Sequence, residues 1–64
     1  MKVKQVIKIL EANGWELMRI NGSHRQYKHD HNPNVVTVSG KPNIDVPVGT
    51  LANVRRDSGV KELR

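Results

Sequence analysis

The dipeptide Asn21-Gly22 constrains this chain more than any other feature. It lies between two short extended runs, Trp15 to Ile20 and Ser23 to His29, and Asn-Gly in that setting is a strong signal for a tight β-hairpin. The preceding residues have a different period. Val3, Val6, Ile7 and Leu10 fall at i, i+3, i+4 and i+7, with Lys4, Lys8 and Glu11 on the other side, which predicts an amphipathic helix. Asn13-Gly14 supplies a left-handed stop for it. No Ser, Thr, Asp or Asn precedes the helix, and Lys2 and Lys4 sit at its positive end, so its first turn is expected to fray.

Along the second extended run a period of two sends Ser23, Arg25, Tyr27 and His29 to one face and His24, Gln26 and Lys28 to the other. Tyr27 is assigned to the core, with Arg25 and His29 reaching out at the sheet edge, and His24 to the open face. Asp30 to Asn34, with Pro33, reads as a polar loop, and Val35 to Val38 as a β-branched third strand. Ser39 to Asp45 is a turn-rich crossing. A second helix is expected from about Pro47, with Asp45 placed to cap it or offset its dipole. Val48, Leu51, Ala52 and Val54 form its apolar side, Arg55 and Arg56 suit its negative end, and Gly59 closes it. The expected fold is a two-layer α+β domain of order α-β-β-β-α, a three-stranded antiparallel sheet with both helices on one face. No linker or repeat interrupts it, so residues 1–64 are read as one domain. The opposite sheet face is left to meet water or a ligand.

A chain of 64 residues buries only roughly 60% of its unfolded surface, and without cysteine neither disulfides nor a thiolate zinc site can supplement its small core. Eleven Lys and Arg against six Asp and Glu give a formal charge of +5, which makes polyanions or an acidic protein the natural partners. No apolar stretch approaches the roughly 20 residues that span a bilayer, and Met1 to Gln5 lacks the apolar run of a signal peptide; a cytoplasmic protein is expected.

The candidate chemistry lies at Gly22-Ser23-His24, a small turn that presents an imidazole. RNA carries its own nucleophile, the 2′-hydroxyl, so its cleavage needs only proton transfer and stabilisation of charge on the phosphate. Histidine can serve as acid or base near neutrality. In this reading His24 is the general acid or base, and Ser23 with the Gly22 and Ser23 amides holds a phosphate oxygen. Lys28 contacts a neighbouring phosphate, and Arg19 or Lys41 adds a second contact. Taken alone, each residue has a plainer explanation: an incidental surface histidine, a serine suited to a turn, solvated lysines and arginine. His29-Asp30-His31 could join His24 around a metal, but the spacing matches no dedicated zinc site, and neither metal nor cofactor is expected. Trp15 and Tyr27 are too few for a base-stacking platform and are assigned to the core.

The stretches Val6 to Leu10, Gly14-Trp15, Arg19, Gly22 to His29, Val36 to Val38, Gly40 to Pro42 and Gly49 to Leu51 resemble the HicA toxins, over about residues 3 to 60. The resemblance implies a double-stranded-RNA-binding-domain-like fold acting as an mRNA interferase. It also implies inhibition by a cognate HicB antitoxin, and a catalytic histidine that corresponds to His24. The toxin alone is expected to be a monomer. The chain departs from the family where many members carry another histidine after the third strand and this one has Ser39-Gly40-Lys41-Pro42. It departs again at Val48, often proline, and at Arg55 to Ser58. Two other readings stay open at this point: a non-catalytic RNA-binding module, and a degenerate toxin that binds only its antitoxin.

Overall fold

The computed structural model describes residues 1–64. Its elements are α1 (Val3–Ala12), β1 (Glu16–Asn21), β2 (His24–His29), β3 (Asn32–Ser39) and α2 (Val48–Ser58), with the antiparallel sheet ordered β1-β2-β3. This is the expected α-β-β-β-α architecture, consistent with a double-stranded-RNA-binding-domain-like fold.

Period-two alternation decides which sheet face is covered. Tyr27 pairs with Val36 and Arg25 with Val38, and Tyr27, Val36 and Val38 are all buried. They meet Val3, Val6 and Leu10 of α1 and Leu51 and Val54 of α2 in one cluster that also takes in Trp15, Val46, Val60 and Leu63. Leu17 lies opposite Tyr27 and Ile20 opposite Arg25, on the same face, yet they remain 45% and 57% exposed. The helices pack toward β3, so β1 overhangs the covered layer.

Four expectations are corrected. The first turn of α1 is not left to fray: Val3 donates its amide to the Ile44 carbonyl (2.9 Å), Lys4 to Pro42 (3.1 Å) and Lys2 to Oε1 of Gln5 (2.7 Å). Backbone from the crossing thus accepts from the Val3 and Lys4 amides, and the Gln5 side chain from that of Lys2. Asp45 does not cap α2; it lies 3.7 Å from the Lys2 ammonium, and Pro47 stands at the cap position without a side-chain bond. The Asp30–Asn34 loop shrinks to the two-residue turn Asp30-His31, because β3 begins at Asn32, opposite His29. Pro33 is tolerated there because β3 is an edge strand. Finally, Val48 is 86% exposed and outside the core, which takes in Val46, Val60 and Leu63 from the segments flanking α2.

Burial raises the Tyr27 phenol above its ordinary pKa of 10.0; the Glu11 carboxylate adds to this and the Arg25 guanidinium opposes it. Such a phenol contributes stability that is complete below the unfolded-state value and is lost as pH rises through the folded one. Urea unfolding at about pH 8 and about pH 11 is therefore expected to show a larger alkaline loss in the wild type than in Tyr27→Phe.

Candidate nucleic-acid site

The β1–β2 connection is a two-residue turn, Gly22-Ser23, closed by the pair Asn21 and His24. Relative to the sequence reading it is shifted by one residue, so Ser23 belongs to the turn and β2 starts at His24. Gly22 has φ of +63°, the conformation that glycine supplies at the first central position of such a hairpin. A Cβ there would meet nothing within 4 Å, so only backbone strain opposes it. Gly22→Ala is expected to lower stability by about 1–2 kcal/mol, read from the urea midpoint. An unchanged midpoint would show that the turn can relax to another conformation.

This turn leaves two donors free. Neither the Gly22 nor the Ser23 amide donates to an acceptor in the protein, whereas the Ser23 carbonyl accepts from the Gly40 amide at 3.2 Å. The Gly40 carbonyl in turn accepts from Nη1 of Arg25 at 2.8 Å. The turn is thereby tied to the end of β3 through the Ser23 carbonyl, while its two amides have no acceptor in the protein.

The same bonds define the surroundings of His24. The Gly40 amide bonds across the ladder to Ser23, so by alternation the next pair, His24 and Ser39, is the narrow, non-hydrogen-bonded kind, with Cα atoms about 4.5 Å apart and side chains close. His24 is exposed and its ring makes no hydrogen bond within the protein. Its lateral neighbours on the open face are Asn21 and Ser39. The next row along that face is Arg19, Gln26 and Thr37, where the Arg19 Nε donates to Oε1 of Gln26 at 2.8 Å. That bond holds a guanidinium beside the histidine row.

Of the residues expected from sequence, Gly22, Ser23, His24 and Arg19 share this corner of the open face. Lys41 follows directly from Ser39 and Gly40 at the same end of the sheet. Lys28 is on the same face but four residues along β2, about 13 Å from His24, and its partner across the ladder is Glu16. It cannot reach the same phosphate and has a carboxylate beside it. Asn21, Gln26 and Ser39 were not singled out as site residues by sequence reasoning. Only strand register brings them next to His24 and Arg19, and a bulge between Leu17 and Arg19 sets that register.

The other histidines are elsewhere. His29, at the far end of β2, donates from Nε2 to the Asn13 carbonyl (3.0 Å) and accepts at Nδ1 from the His31 amide (3.0 Å), so both ring nitrogens are engaged. It also packs against Trp15, with ring centroids 5.2 Å apart. Its role is to staple the end of α1 to the β2–β3 turn. No three His, Asp or Glu side chains gather in a metal-binding group.

No helix is long and apolar enough to cross a membrane. No curated protein matches the chain. Residues 3–60 match the family described as the HicA toxin of bacterial toxin-antitoxin systems. With that match covering nearly all of its 64 residues, and with the helix, three-stranded antiparallel sheet and helix described above, the chain belongs to the HicA toxin family.

Proposed function

We propose that this protein is the toxin of a type II toxin–antitoxin pair, a metal-independent endoribonuclease that cleaves mRNA in the cytoplasm and is held inactive by a HicB-like antitoxin. The observation that carries this reading is the combination at the β1–β2 turn: an exposed imidazole immediately after two amides that have no acceptor in the protein. In this mechanism a phosphodiester lies across the turn. Its non-bridging oxygen accepts from the Gly22 and Ser23 amides, with the Ser23 hydroxyl and Arg19 adding to the charge stabilisation. The adjacent 2′-hydroxyl attacks phosphorus, the bond to the 5′-oxygen breaks, and a 2′,3′-cyclic phosphate forms. His24 either takes the proton from the 2′-hydroxyl or gives one to the leaving 5′-oxygen, and solvent water carries the proton at the other end. Lys41 neutralises a flanking phosphate, and Lys28 a more distant one.

The side chains on either side of His24, Asn21 and Ser39, do not titrate near neutrality. A single proton-transfer group makes a slow enzyme, and the same observation favours the alternative of a fold that binds RNA or its antitoxin without cutting. The two are separated by incubating purified protein with end-labelled single-stranded RNA in EDTA and analysing product ends. Cleavage with cyclic phosphate termini is the expected result. Intact RNA in the presence of folded protein would replace the nuclease with the binding-only reading.

A further inference from the structure

Lys4 and Lys8 are placed against the physics of their own helix. They lie at i and i+4 on the exposed side of α1, where like charges repel. Lys4 is in the first turn, which holds no acidic residue. Neither has an ion-pair partner; the two ion pairs of the molecule are Lys2–Asp45 and Arg56–Asp57. Two exposed like charges with no partner in the fold are open to an anionic ligand from outside it.

The crossing after β3 joins this surface to the His24 corner. Gly40 is bonded to Ser23 at one end of the segment, while Pro42 and Ile44 accept from Lys4 and Val3 at the other. Lys41, exposed, lies between those attachments. Basic side chains therefore continue from the turn through Lys41 to Lys4 and then Lys8, the last two separated by about 6 Å of helix rise. Glu11, one turn further, ends the run.

We infer that Lys41, Lys4 and Lys8 form a track for the phosphates of an RNA strand that leaves the His24 turn and passes around the end of the sheet onto α1. The inference rests on the reading of that turn as an RNA site. Lysine ammonium groups contact the backbone as point charges, so the track positions the strand and reads no base.

The test uses His24→Ala protein, which keeps the RNA intact, with a long oligouridine and with a tetranucleotide as probes across a salt series. The combined change Lys4→Gln and Lys8→Gln is expected to reduce the salt slope for the long RNA by about 1.4, roughly 0.7 for each phosphate that no longer meets a lysine. Binding of the tetranucleotide, which spans only the turn, is expected to stay the same. The thermal midpoint is expected to hold or rise, because the variant is relieved of a repulsive pair. An unchanged slope, with cleavage by the wild type intact, overturns this inference and leaves the nuclease reading standing. No RNA binding by the wild type overturns both. An unchanged RNA slope with a weakened hold on an acidic partner protein reassigns the lysines to that partner, and a lowered thermal midpoint reassigns them to the fold.

Discussion

Alanine in place of His24 is expected to lower the rate of RNA cleavage by about 10²- to 10⁴-fold, the usual contribution of a positioned acid or base. The change should leave the fold intact. The ring is exposed and makes no hydrogen bond within the protein, and substitutions at such surface positions stay within about 0.5 kcal/mol. Affinity for RNA should fall only modestly, since the phosphates are held by the turn amides and basic side chains. Single-turnover cleavage, a urea unfolding curve and RNA titration on the same preparation check all three. Retained cleavage in a folded variant would remove His24 from the mechanism. Loss of cleavage together with loss of stability would move its role from chemistry to structure. Suppressed growth upon expression of the wild type, relieved in the variant, is the corresponding outcome in cells.

The largest expected effect on stability is at Gly14. Its φ is +90°, and a Cβ built there would lie 2.9 Å from Nε2 of His29, the atom that donates to the Asn13 carbonyl. Two penalties combine in Gly14→Ala: about 1–2 kcal/mol for the backbone conformation, and about 1 kcal/mol for a displaced hydrogen bond. A chain of 64 residues has a total stability of roughly 3–10 kcal/mol, so the loss is a large share of it. The thermal midpoint is expected to drop by about 10–25 °C. His29→Ala in the same background separates the terms, because it removes the clash and leaves the backbone strain. The double variant should lose less than the sum of the single ones. Full additivity would show that the two residues do not meet.

Sequence patterning went a long way for this chain because its elements are short and regularly punctuated. The apolar stripe of α1 at Val3, Val6 and Leu10 is buried as its period requires, and Tyr27 and His24 lie on the opposite sheet faces that alternation assigns. Local chemistry failed where the outcome depends on residues distant in the chain. The α1 start, which looks uncapped in sequence, is completed by carbonyls some forty residues away, at Pro42 and Ile44. Asp45, read as a cap for the helix just after it, faces Lys2 instead. Val60 and Leu63, beyond the stop at Gly59, are buried, while Val48 inside α2 is not. Which face of an irregular helix turns inward is decided by what packs against it, and a weak apolar pattern cannot express that.

Residue order by itself determined the sequence of elements, the presence of a tight turn before a histidine, and the positive charge that favours polyanions. Each follows from local conformational preference or from composition. Tertiary structure decided that the turn is Gly22-Ser23, that Ser39 and Asn21 flank His24, that Gln26 holds Arg19, and that the crossing joins Lys41 to the basic side of α1. These relations come from strand register and from backbone hydrogen bonds between segments far apart in the chain. A one-residue shift in register would carry a side chain to the other face, so they exist only once the sheet and its helices have closed on one another.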